Sequence, residues 1–95
     1  MTRRVPFKLR LYVAGDAPNS TQARANLDAL CRSYLPACEI EIVDVLREPK
    51  RAMDDRIFMT PTLVKLSPAP GRTIVGTLSQ TQPVLQALGL EEPAP

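Results

Sequence analysis

The sequence predicts one α/β domain of element order βαβαββα, a four-stranded mixed sheet with helices on both faces. Three observations carry this: an alternating apolar run at residues 7–13, a helix-period segment leading to a second β-branched run, and two short β-branched runs flanking a Pro- and Gly-rich turn near residue 70. The 95 residues leave room for a single core, and 44% hydrophobic against 23% charged residues is an ordinary globular balance. The expectation is one domain over residues 1–95, with 1–6 and 91–95 disordered as polar or Pro-rich ends.

Phe7, Leu9, Leu11 and Val13 alternate with Lys8, Arg10 and Tyr12, as successive side chains of a strand point to opposite faces. Ala14-Gly15-Asp16-Ala17-Pro18 breaks the run, and Asn19 or Ser20, with Gln22 answering, is placed to cap a helix. Ala23, Leu27, Leu30, Cys31 and Tyr34 share one face of that helix, and Pro36 stops it. Ile40, Ile42, Val43 and Val45 within Glu39 to Leu46 read as a second strand, and the long crossover favours parallel pairing with the first.

Pro49 suits a first helical position, so Lys50 to Arg56 reads as a short second helix. Thr62 to Leu66 and Thr73 to Val75 form a hairpin about the turn Ser67-Pro68-Ala69-Pro70-Gly71. Ser79 or Thr81 then caps a last helix holding Val84, Leu85 and Leu88, with Pro83 in its first turn. A parallel pair extended by an antiparallel hairpin, with helices on both faces, is the thioredoxin-like arrangement. Nearly all ten prolines fall between these elements or at their ends, where a missing amide costs least.

The composition narrows function mainly by exclusion. A net charge of +2 is too small for a nucleic-acid footprint, and the loose cluster Arg3, Arg4, Lys8 and Arg10 reads as a solvated terminus and strand face. No stretch approaches the ~20 apolar residues of a membrane span, and the first residues lack a secretion-type apolar core, so the cytoplasm is the expected location. Cys31 and Cys38, with no histidine in the chain, match neither a zinc cluster nor a paired redox motif.

A thioredoxin-like oxidoreductase needs its thiol in the loop after the first strand, where a helix amino end favours the thiolate. Here that loop, Ala14 to Ser20, contains no cysteine. Cys31 and Cys38 therefore read as buried, inert thiols, with a regulatory disulfide as the lesser alternative. Thr60-Pro61-Thr62 resembles the segment that holds a cis-proline beside the active site in thioredoxin folds; Pro61 equally serves to open an edge strand. Asp54 and Asp55 point about 100° apart on a helix and read as a solvated face, not a paired acid and base. The segment 13–18 has one glycine and no phosphate-binding lysine, and no glycine-flanked serine is present. No catalytic, metal-binding or cofactor-binding residue is assigned.

The blocks Leu9-Arg10-Leu11-Tyr12-Val13-Ala14-Gly15, Pro18-Asn19-Ser20, Val43-Asp44-Val45-Leu46, Pro49, Asp55-Arg56-Ile57 and Thr60-Pro61-Thr62-Leu63 together resemble the KaiB family in order and spacing. The match continues through Pro68-Ala69-Pro70, Ile74-Val75-Gly76 and Leu78-Ser79, and spans roughly residues 7–90. The resemblance implies a non-enzymatic partner-binding protein that docks on the hexameric ATPase KaiC, competes with a related sensor-kinase domain and, in cyanobacteria, helps sequester KaiA. It also implies fold switching between a tetrameric ground state ordered βαββααβ and the thioredoxin-like state that binds KaiC.

On this resemblance the KaiC-type contacts fall on Arg56, Ile57, Phe58, Pro70 and Arg72. Phe58 is either an aromatic anchor or a core residue of a short helix end. Glu41 stands where cyanobacterial relatives often carry lysine, and Gln22 replaces a frequent arginine, which puts KaiA-type binding in doubt. Where the family commonly reads Gly-Leu-Asp-Leu, this chain has Ala87-Leu88-Gly89-Leu90; Ala in place of Gly favours a helix by about 0.8–1 kcal/mol, and Gly89 suits its stop. With the short ending Glu91 to Pro95, these changes predict a mainly monomeric, thioredoxin-like resting state. The rival function is a thioredoxin-like thiol oxidoreductase using Cys31 or Cys38.

Overall fold

The alternation at residues 7–13 becomes the central organiser of the molecule. In the computed structural model, which describes residues 7–35 and 37–89, strand β1 (Phe7–Val13) lies inside a four-stranded sheet of order β2-β1-β3-β4. Strand β2 (Cys38–Asp44) pairs with it in parallel, β3 (Thr62–Ser67) antiparallel, and β4 (Arg72–Val75) antiparallel to β3. Helices α1 (Pro18–Tyr34), α2 (Pro49–Asp54) and α3 (Thr81–Ala87) complete the order βαβαββα. The expected disorder of 1–6 and 91–95, the helix stop at Pro36, the cluster members Arg3 and Arg4, and Leu90 lie outside the described residues.

The two faces of β1 build two unequal cores. Leu9, Leu11 and Val13 pack with Ala23, Leu27, Leu30 and Cys31 of α1, Leu63 of β3, and Val84, Leu85 and Leu88 at α3. On the other face Tyr12, Val43 and Ala52 are buried together, with Val45, Ile57 and Val64 packed against them. Tyr12 is thus a core residue under α2, although the alternation groups it with polar positions. β2 is an edge strand, so Ile40 and Ile42 stay exposed although their register partners Leu9 and Leu11 are buried.

The helix starts correct the expected caps. Pro18 opens α1 at its first helical position with Ala17 as N-cap, and no side chain caps it. A proline there has no amide to leave unpaired and its φ is already helical, so the helix starts ahead of Asn19 and Ser20. Ser20 is instead buried, its Oγ accepting a hydrogen bond from the Ala14 amide at 3.0 Å. For α3 the N-cap is Gln80, again without a side-chain bond, and the Val84 amide reaches the Gln80 carbonyl at 3.3 Å. Ser79, the other expected cap, is engaged by the Thr77 hydroxyl at 3.4 Å.

Candidate functional site

Between β2 and β3 the chain forms a short helix and a tight exit that turn apolar side chains outward. Asp44 closes the end of β2, its Oδ1 accepting from the Gly15 amide at 3.1 Å and the Leu46 amide at 2.9 Å. Pro49 then starts α2, which lasts six residues. Its end is a Schellman motif: the Ile57 amide donates to the Ala52 carbonyl at 2.8 Å and the Arg56 amide to the Met53 carbonyl at 3.0 Å. The left-handed residue such a motif requires is Arg56, at φ 57°.

That turn sends Ile57 into the small core and swings Phe58 out, with 87% of its surface exposed. The alternative in which Phe58 is a core residue is therefore overturned. Leu46, Met53 and Met59 are also exposed. Beyond them the Thr62 hydroxyl donates to the Met59 carbonyl at 2.6 Å, and the Thr60–Pro61 peptide is cis. Ile57 supports this face from inside. Pro70 and Arg72 are exposed; Pro70 sits in the hairpin turn beyond the far end of β3, and Arg72 opens β4 opposite Lys65, three residues and about 10 Å of strand from Thr62. The five candidate contacts thus fall into two groups.

Charges brace α2 against the sheet. Arg10 is half-buried and donates to Glu41 at 2.7 Å and to Asp55 at 3.0 Å, while Arg51 reaches Glu41 at 2.8 Å and Glu48 at 3.4 Å. The Tyr12 hydroxyl donates to the same Asp55 carboxylate. Arg10 is thus no solvated charge, and although Asp54 and Asp55 are both exposed as expected, Asp55 also ties α2 to β1. Two residues of opposite charge on neighbouring strands, Arg10 and Glu41 in direct register, were the available signal.

The bond from Tyr12, then that from Arg10, holds the Asp55 carboxyl below its ordinary range, and Arg10 and Arg51 do the same for Glu41. Both folded-state pKa values are depressed, so the stabilisation is present above the unfolded carboxylate range and is lost as pH falls through it. Burial, with the Asp55 bond next, raises the Tyr12 hydroxyl, so its contribution is lost as pH rises past 10. Urea midpoints should therefore fall below about pH 4, and less steeply in Asp55→Asn, which loses one of the two titrating groups. An unchanged acid slope in that variant would remove Asp55 from the account.

Other chemistry is sparsely supplied. The groove at the carboxyl ends of β1 and β2 mixes Asp16, Asp44 and Glu48 with Arg24 and Arg47 and holds no thiol. Cys31 lies thirteen residues along α1 from Pro18, about 20 Å away at the other end of the helix, and meets Cys38 there. Among the described residues no group of three or more His, Cys, Asp or Glu could hold a metal, and no helix is long and apolar enough to cross a membrane.

The architecture is thioredoxin-like, with the loop of the reactive thiol empty. It matches thioredoxin from Fasciola hepatica with a TM-score of 0.71 at 15% identity, covering 88% of this chain and 79% of that one. The amino-terminal domain of SasA from Synechococcus elongatus matches with a TM-score of 0.68 at 23% identity, covering 99% and 93%. Within this fold class the sequence is specific: the KaiB domain model matches residues 10–90, and the chain belongs to the KaiB family. It is 44% identical over 84 residues to the circadian clock protein KaiB3 of Synechocystis sp., covering 87% of this chain and 80% of that relative.

Proposed function

We propose that this protein is a non-enzymatic, cytoplasmic KaiB-type regulator that docks on a KaiC-type hexameric ATPase in a clock or stress-related signalling system. Relatives at 42–44% identity are named as circadian clock proteins, which supports the biological setting. The observation that carries docking is Phe58, exposed beside Met53 and Met59 on a turn closed by two backbone hydrogen bonds. A large aromatic on a rigid turn loses little entropy on binding and offers the area an anchor needs. An arginine held in a left-handed turn position, where glycine is cheaper, is further support for a role of Arg56 in contact.

Pro70 would form a second contact at the hairpin turn, beyond the far end of β3 from the Thr60–Pro61 exit, with Arg72 lying between the two on β4. Glu41 carries the charge opposite to that of a lysine and is paired with Arg10 and Arg51, in keeping with weak or absent KaiA-type binding. Competition with a KaiB-like sensor-kinase domain for the same ATPase follows from a shared docking mode. The resting protein is proposed to be a mainly monomeric, thioredoxin-like chain that retains the family's second order βαββααβ as a minor basin. Helix α3 running to Ala87, with Gly89 at φ 89° beyond it, supports that bias.

The rival thiol oxidoreductase has its sulfurs at the wrong end of α1, away from the Pro61 turn. Size exclusion with light scattering, on the protein alone and mixed with a KaiC-type hexamer in ATP, tests the proposal. Monomer mass alone and co-elution in the mixture are expected. Absence of a complex after long incubation in both ATP and ADP would reject KaiC-type docking.

A further inference from the structure

The end of α1 and the start of β2 bring two thiols into contact that docking does not use. Cys31 lies in the buried stretch of α1 that packs on Leu9 and Leu27, and Cys38 is the first residue of β2, half-buried against the same core. Their sulfurs are 2.8 Å apart. The sequence offers a disulfide only as the lesser alternative to inert thiols; the packing of the end of α1 against the start of β2 brings the two sulfurs together. Neighbouring backbone is fixed, with the Leu35 amide on the Cys31 carbonyl at 3.1 Å and the Phe7 amide on the Ala37 carbonyl at 2.8 Å. Two thiols in contact on anchored elements need little rearrangement to be bridged.

We propose that Cys31 and Cys38 form a reversible oxidation site at which a small hydroperoxide closes an intramolecular disulfide between α1 and β2. Cys38 is the sulfur oxidised first, because it is half-buried whereas Cys31 is sealed in the core. A small uncharged oxidant reaches such a sulfur; the active site of a protein disulfide does not. Burial raises both thiols above their ordinary range, and at Cys38 the hydrogen bond from Cys31 offsets part of that rise, which agrees with this order.

The balance is simple. Cys38 gives up its proton, its thiolate attacks one peroxide oxygen, the O–O bond breaks, and the leaving oxygen takes that proton, as water when the oxidant is hydrogen peroxide. The Cys31 sulfur then attacks the Cys38 sulfenic acid, the S–S bond forms, the S–O bond breaks, and the hydroxyl leaves with the Cys31 proton as a second water. Two thiols have lost two electrons and the peroxide has gained them. A dithiol reductant reverses the bridge by exchange.

The bridge would staple strand β2, which among the described residues pairs only with β1, to the helix that covers the main core. It lies away from α2, so its consequence is rigidity of the βαβ half with Phe58 unaltered. A Tm rise of roughly 5 °C or more is the expected size for a cross-link of this kind.

The test is to treat the full-length reduced protein with hydrogen peroxide and read intact mass, alkylatable thiols and peptide linkage. Loss of two hydrogen atoms, loss of both alkylatable thiols, a Cys31–Cys38 linked peptide and recovery by dithiothreitol are expected. In Cys31→Ser the Cys38 sulfenic acid should persist and react with dimedone. Intermolecular dimers, stepwise gain of oxygen on the Cys31 or Cys38 peptide of the native chain, or two thiols still alkylatable after oxidation would each overturn the proposal; oxygen gained at the exposed Met53 and Met59 is read separately. These readouts use no partner, so they stand or fall apart from KaiC-type docking.

Discussion

Replacing Phe58 with alanine is expected to weaken binding to a KaiC-type hexamer about 30-fold or more, with Tm unchanged. Burying a phenylalanine side chain contributes about 2–3 kcal/mol, and a central anchor commonly loses at least that on truncation. The same ring contributes almost nothing to the folded monomer, because it is 87% exposed and its backbone is held by the Schellman bonds of Arg56 and Ile57. Surface changes of this kind alter stability by less than about 0.5 kcal/mol. Arg56→Gly provides the control with opposite sign. It relieves a left-handed arginine, which should stabilise the monomer by about 1 kcal/mol, while removing the side chain from the docking face. A more stable variant that binds less well would separate recognition from folding. Isothermal titration and thermal melts on both variants decide it; Phe58→Ala binding within about threefold of the parent would sink the anchor.

The proposed docking face was only partly legible because periodicity reports faces, not what covers them. The alternation in β1 placed Leu9, Leu11 and Val13 in the main core, yet it assigned Arg10 and Tyr12 to a polar side. A six-residue helix is enough to bury that side, and a weak short helix leaves little periodic signal. Asp55 suffered from the same gap: its pairing with Arg10 spans forty-five residues, which no local pattern reveals. The caps failed for a different reason. Asn19, Ser20, Ser79 and Thr81 are good capping types, but Pro18 starts α1 and Gln80 precedes α3, so backbone geometry outranked side-chain preference. The strands, their pairing and the thioredoxin-like order depended on long alternating runs and turn chemistry, and those were readable.

Lys65 is the residue whose chemistry the strand pattern concealed, and Lys65→Ala is expected to lower stability by about 2–4 kcal/mol, a fall in Tm on the order of 10 °C or more. Its neighbours Leu63 and Leu9 face the main core, and register puts Lys65 on that same side, only 4% exposed. The ammonium donates to the Leu88 carbonyl at 2.8 Å and lies 5.4 Å from the centre of the Phe7 ring. Leu88 is the C-cap of α3, so the cation sits at the negative end of the helix and satisfies one of its orphan carbonyls. Gly89, at φ 89°, takes the left-handed stop that follows, and a Cβ there would make only ordinary contact with Lys65 Nζ at 3.4 Å, so conformation and not space calls for glycine. Alanine removes the donor, the ring contact and the packing of the stem, and leaves a buried carbonyl unsatisfied. Lys65→Met keeps the stem and discards the cost of burying a charge, so it should lose distinctly less. Because the contact exists only while α3 ends at Leu88, its loss acts on the thioredoxin-like state and not on an order with a terminal strand. The gain for the proposed second basin exceeds the 0.8–1 kcal/mol expected of Ala87→Gly, so on that proposal light scattering of Lys65→Ala should show mass moving from monomer toward tetramer. Equal melts for the alanine variant and the parent would show that the lysine merely occupies the core.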